Sequence, residues 1–194
     1  MTARAWRHLI AVIAVVIAVS GAIAGDVSAG FAPGSVLITG ALEDRTVLSF
    51  AELAAIQPTH TVNVTFMAGS ATEHHTFTGP LLYDVLNLFA PKFDPNVKND
   101  RLRFYVSATG ADDYQAIVAW GEFDPGFQNK QILLAVTQDG VSLESEGPRL
   151  VVPGDIRGGR YVSTVVTVDL ARARENAPCP NPHFRFWWFW AWRC

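Results

Sequence analysis

Between Gly147 and Leu170 the chain reads GPRLVVPGDIRGGRYVSTVVTVDL, and no other stretch restricts its fold as much. Leu150-Val151-Val152 is an apolar run closed by Pro153-Gly154, and Tyr161 to Val168 is rich in β-branched residues, so both segments are expected as strands. Between them lie Gly154, Gly158 and Gly159 with Arg157 and Arg160. Glycine lets backbone N–H groups approach a ligand closely, and arginine offers a planar fork to an oxyanion. The interval is therefore a candidate anion site. The alternative is an ordinary β-hairpin with its arginines in water, because glycine and charge are also what turns use.

The chain opens with Arg4 and Arg7 ahead of an apolar run from Leu9 to Val19, followed by small residues. That pattern predicts a secretory signal, cleaved at Ala22-Ile23-Ala24 or Val27-Ser28-Ala29. The alternative is an uncleaved anchor, but the apolar run falls short of the roughly 20 residues a spanning helix needs. The expected organisation is a signal peptide over 1–29, one domain over 30–172 and a tail over 173–194. The expected location is periplasmic or secreted, or membrane-anchored if the signal stays. The whole chain carries a formal net charge of −3 and remains acidic without its first 29 residues. Such a surface repels polyanions, so nucleic-acid binding is not expected and any anion site must be local. Both cysteines, Cys179 and Cys194, fall in the tail, which leaves the domain without a disulfide framework.

Along the body, strands are expected near Ser35 to Ile38 and Thr46 to Leu48. Ser49-Phe50-Ala51-Glu52 fits a capping box, so a helix is expected from Phe50 to about Ile56, stopped by Pro58. Thr59 to Phe66 and Glu73 to Thr78 read as a hairpin around Ala68-Gly69-Ser70. Leu82, Val85, Leu86 and Phe89 share one stripe of a helix over Leu81 to Phe89. Leu102, Phe104 and Val106 alternate with polar residues as in a half-buried strand, and Tyr114 to Val118 follows after a turn. Trp120 to Gln128 reads as an irregular connection. Ile132 to Val136 is apolar on both faces and is expected to be a central strand, with a tight turn at Asp139-Gly140. The fold class is α+β: a mixed, mainly β domain with short helices.

In this order the pieces LSFAELAAIQPTHTVNVTF, FTGPLLYDVLNLF, GADDYQAIVAW, ILLAVTQDGVSLESEGPRLVVPGD and GGRYVSTVVTVDL resemble the molybdopterin-binding domain of the sulfite-oxidase type, in its small exported bacterial form. The resemblance covers roughly residues 35–170. It implies that Arg149 helps hold the pterin of a molybdopterin cofactor, and that Gly158, Gly159, Arg160 and Ser163 contact its phosphate. The pocket expected from the two lines together comprises Arg149, Arg157, Gly158, Gly159, Arg160 and Ser163, taking a pterin or another small anion.

Two departures weigh against a working molybdenum enzyme. The family holds its metal with a cysteine thiolate from the early part of the domain, whereas this chain has no cysteine before Cys179. Met67 lies in the corresponding region, but a neutral thioether is a poor ligand for a high-valent metal. Thiolate ligation would require Cys179 or Cys194 to fold back from the tail. The second departure is the signal, whose arginines are separated, unlike the twin-arginine signal implied for enzymes exported already loaded. A non-catalytic binding or interaction module is therefore the alternative to an oxidoreductase, and no catalytic residue is identified.

Other constellations carry less. If Phe66 pairs with Glu73, His60 falls opposite Gly79, and His74 and His75 point to opposite faces, so the three histidines do not make a metal site. Asp112-Asp113-Tyr114 is expected to serve local hydrogen bonding at a turn. Neither Ser145 nor Ser163 has a histidine at recognisable spacing, and no G-x-S-x-G is present. The tail packs seven aromatic residues between Phe184 and Trp192 with Arg185 and Arg193. It is expected either to touch a membrane surface or to cover an apolar groove on the domain or a partner, closed by a Cys179–Cys194 disulfide, unless it is an incidental extension.

Overall fold

A computed structural model describes residues 34–173 of the chain. The expected signal peptide, the aromatic tail from 174 onward and the expected Cys179–Cys194 pairing lie outside the described residues. Among the described residues no helix is long and apolar enough to cross a membrane.

The larger sheet has five strands: β1 (Val36–Gly40), β2 (Thr46–Leu48), β5 (Phe104–Gly110), β6 (Gln115–Ala119) and β11 (Val165–Arg172). Their order is β2-β1-β11-β5-β6, so the last strand lies in the middle. It pairs in parallel with β1, where Leu37 meets Thr167, and antiparallel with β5, where Leu170 meets Val106. Alternation decides what is buried. In β5 every second residue, Phe104, Val106 and Ala108, is removed from water, and the residues between them are half-buried.

A second sheet, order β3-β4-β8-β9, consists of the long hairpin β3 (Thr59–Ala68) and β4 (Ala71–Pro80), with the short strands β8 (Thr137–Gln138) and β9 (Val141–Ser142). The Asp139-Gly140 turn joins the last two, both residues having positive φ as a tight hairpin turn requires. The hairpin register is the one that pairs Phe66 with Glu73 and His60 with Gly79. Between the sheets, β7 (Leu133–Ala135) and β10 (Arg149–Val151) form a two-stranded antiparallel ribbon.

Three short helices complete the α+β fold. Helix α1 (Phe50–Ala55) starts at the expected capping box: the Glu52 amide donates to Ser49 Oγ at 3.2 Å, and the Ser49 amide donates to Glu52 Oε2 at 2.8 Å. Helix α2 (Leu82–Asn87) buries Leu82, Val85 and Leu86, and ends before Phe89. Helix α3 (Trp120–Phe123) stands where an irregular connection was expected, and both of its aromatic residues are buried.

Three further expectations are corrected. Leu102 does not begin a strand; it belongs to a 3-10 turn over Asp100–Arg103 and is 46% exposed. The segment Ile132 to Val136 is fully apolar and buried, as read, but it is central to no large sheet: its pairing is with β10 and, through one bridge, with Leu81. Most consequential for the site, β10 and β11 belong to different sheets, and the segments beside them meet through two backbone hydrogen bonds, from the Leu150 amide to the Val162 carbonyl at 2.9 Å and from the Val165 amide to the Pro148 carbonyl at 2.8 Å. The glycine-rich interval is therefore a long connection between two sheets rather than a tight hairpin turn.

Candidate functional site

One wall of the site follows from period-two geometry. In β3, Val62, Val64 and Phe66 face inward; opposite them in β4 stand Phe77, His75 and Glu73. At the tip of this hairpin a cavity of about 450 Å³ opens, a size typical of small-molecule sites. It is lined by Phe66, Met67, Glu73 and Tyr161, and by five of the six residues singled out in the sequence: Arg149, Arg157, Gly158, Gly159 and Ser163.

Arg157 arrives there because the connection docks alongside β3. The Met67 amide donates to the Ile156 carbonyl at 2.9 Å, and Met67 and Arg157 form a parallel bridge. Gly158 is required by packing: a Cβ there would stand 2.9 Å from two carbons of the Phe66 ring. The turn over Gly158–Arg160 is further fixed by the Tyr114 hydroxyl, which donates to the Gly159 carbonyl. Arg149 reaches the cavity from β10. Its Nη1 donates to Gln138 Oε1 at 2.8 Å, and its guanidinium lies 5.9 Å from the centre of the Phe77 ring.

Arg160 behaves differently, standing neither in water nor on the cavity. Its Nε and Nη2 bind both Asp155 oxygens at 2.8 and 2.7 Å, while Nη1 reaches both Glu122 oxygens at 3.0 and 3.1 Å. Bidentate geometry of this kind uses the guanidinium fully. Hydrogen bonding to Asp155 raises its pKa further, so Arg160 stays charged at every working pH. Burial pushes the Glu122 carboxyl up, but the Ala119 amide, Arg160 and Lys130 together hold it below the usual carboxylate range. Arg160 thus fastens the connection to α3.

A second network flanks the cavity. His75 Nδ1 lies 2.7 Å from Asp139 Oδ2, and Nε2 lies 3.2 Å from Glu73 Oε2. Gln138 Nε2 is 3.2 Å from the same Nδ1, which joins this network to Arg149. The hydrogen bond to Asp139 raises the His75 pKa; burial opposes it and Glu73 adds to it. A raised histidine stabilises the fold below its unfolded value near 6.5, and that contribution is lost as pH rises through the folded value. Wild type is therefore expected to lose up to about 1 kcal/mol across that window, the scale of exposed ion pairs, and His75→Gln to lose less. Urea titrations at several pH values check this, and parallel curves for both proteins would refute it.

Tyr161 carries the remaining signal. Its ring stacks on Phe66 with centroids 4.3 Å apart, and its hydroxyl is buried without a hydrogen-bond partner. Burial, with the Asp155 charge adding to it, pushes its pKa up to about 12, so it remains an O–H donor.

Sequence reasoning missed Phe66, Glu73 and Tyr161 as cavity residues and His75 beside them, although the hairpin register already placed 66, 73 and 75 on one face. His74 lies on the other face and bonds Thr65. Among the described residues no group of three histidine, cysteine, aspartate or glutamate side chains has metal-binding geometry. Asp112 accepts the Tyr114 amide at 3.1 Å, the local role expected for it.

The chain matches no protein-family model and no curated protein. Among solved structures it is similar to the sulfane dehydrogenase SoxCD from Paracoccus pantotrophus, at 18% sequence identity and a TM-score of 0.56. The match covers 73% of this chain but 39% of the SoxCD chain, so the likeness concerns less than half of that protein. With its mainly β architecture and three short helices, the chain has an α+β fold distantly related to that of this dehydrogenase.

Proposed function

We propose that this is a binding domain of the sulfite-oxidase-type fold, which holds a small oxyanion-bearing ligand between Arg149 and Arg157. The observation that carries the reading is the cavity itself. Two arginines without an ion-pair partner among the described residues line it, together with the Ser163 hydroxyl and the ring of Tyr161, whose buried hydroxyl is unsatisfied. Arginines left free of carboxylates beside a buried orphan donor are what an anionic ligand completes.

The fold likeness brings molybdopterin into consideration, and its two ends fare differently. The phosphate end fits the donors present, and Arg149, Arg157 and Ser163 are the residues that would hold it. The metal end does not fit. The sulfur lining the cavity is the Met67 thioether, and residues 1–178 contain no cysteine. No redox step is derived from this site. The amino-terminal pattern supports an exported protein, and the acidic surface supports a small-molecule ligand rather than a nucleic acid.

Calorimetric titration with phenyl phosphate tests the reading. Arg149→Gln and Arg157→Gln are each expected to weaken binding about 10-fold, and the pair about 100-fold, from the worth of a charge-assisted hydrogen bond. Unchanged affinity in the double variant would remove the site. Elemental analysis of protein from its native source is the companion measurement: molybdenum near one per chain would overturn the argument from the missing thiolate.

A further inference from the structure

The cavity holds one acid, Glu73, among its lining residues, and an anion alone would be better served without it. Glu73 is nonetheless built in. Its side chain faces the cavity because it stands opposite Phe66 in the hairpin. Its Oε2 is held by His75, and His75 is backed by Asp139, so two residues orient the carboxylate. Oε1 accepts no hydrogen bond among the described residues, and Glu73 forms no ion pair with Arg149 or Arg157. Glu73 is kept from each arginine in a different way: β3, carrying Phe66 and Met67, runs between β4 with Glu73 and the docked segment with Arg157, while Gln138 and His75 stand between Glu73 and Arg149. The stacked rings of Phe66 and Tyr161 supply an apolar wall on that cavity.

Opposite charges held apart on one wall complement a ligand that carries both signs. We propose that the cavity takes a dipolar ligand: an oxyanion on Arg149 and Arg157, an amine or amidine N–H group on Glu73, and a flat apolar body against Phe66 and Tyr161. Glu73 is then the residue that sets specificity, discriminating against plain anions by like-charge repulsion. The assignment rests on the oxyanion reading above and names the class of ligand for that same cavity.

The test compares two probes that differ at one end, 4-methylphenylphosphonate and 4-(aminomethyl)phenylphosphonate, by calorimetry on the full chain, with benzylamine as a third. The amine-bearing phosphonate is expected to bind wild type about 10-fold more tightly than its methyl partner, the worth of one charge-assisted hydrogen bond. Glu73→Gln should abolish that preference while binding the methyl compound at least as well as wild type does. Equal affinity of the two phosphonates for wild type, or a preference that survives Glu73→Gln, would overturn the assignment. So would loss of both ligands together in the variant, which marks a structural role. If both phosphonates bind wild type equally, the oxyanion reading stands and the two-ended ligand falls. If neither binds, yet benzylamine does and Glu73→Gln removes it, the oxyanion reading has failed and the dipolar ligand with it.

Discussion

Replacing Trp120 by alanine is expected to destabilise the domain by about 4 kcal/mol, within the range seen for large buried aromatics. The side chain is 1% exposed and stands at the start of α3, edge-on to Phe93 at 4.7 Å and against Phe123 at 5.0 Å. Its indole Nε1 donates to Asp124 Oδ2 at 2.6 Å, and that carboxylate is itself buried. Alanine would therefore leave a large void and also remove one of the donors that satisfy the buried Asp124 carboxylate, the others being Arg101 at 3.2 Å and the Gly126 amide at 2.7 Å. Trp120→Phe keeps most of the volume and loses only the hydrogen bond, so its cost should be less than half as large. Urea unfolding separates the cases. A loss below about 1 kcal/mol for Trp120→Ala would mean that the packing around α3 is not as described.

The second large effect is expected at Arg160. Arg160→Leu leaves Asp155, its side chain 17% exposed, without its cation, and Glu122, 23% exposed, with only Lys130 and the Ala119 amide among the described residues. Removing one partner of a fully buried pair costs several kcal/mol, and discounting for the water that reaches this one gives about 2–3 kcal/mol. The origin of the loss can be checked, because it is the desolvation of carboxylates that have lost their bidentate partner. Adding Asp155→Asn and Glu122→Gln to Arg160→Leu should recover part of it, and failure to do so would point to lost packing instead. The sign with pH is also fixed. Glu122 is depressed in the folded state, so its contribution is present above its usual value near 4.5 and is lost as pH falls through the folded value. That acid loss should shrink in Arg160→Leu. Because the same clamp holds the segment that carries Arg157, phenyl phosphate affinity should fall as well.

The sequence made local structure legible and long-range partners much less so. Ser49 and Glu52 specify the start of α1 because the capping box is closed by residues three apart. The β3–β4 register was readable because a short turn ties both strands, and it correctly separated His74 from His75. Helix α3 was missed because four residues with a glycine among them show no helical period. The strands on either side of the arginine-bearing interval find their ladder partners in distant segments, β10 in β7 and β11 in β1 and β5, and nothing local encodes that choice. Arg160 illustrates the same limit. It sits beside Arg157 and Gly159 in the chain, yet its role is decided by Glu122, 38 residues away. Five of the six residues chosen by type line one cavity; tertiary pairing decided which arginines face it.

The place of β11 in the middle of the larger sheet has a kinetic consequence. Leu37 cannot meet Thr167, nor Val106 meet Leu170, until the segment through Arg172 has left the ribosome, so the larger sheet must close late. Until then β1 and β5 present unpaired edges and lack the strand that lies between them. Contacts of such sequence separation slow folding, because the loop entropy is lost before any pairing repays it. Until β11 emerges, the larger sheet stays open, and its unpaired edges are what a chaperone must keep from aggregating.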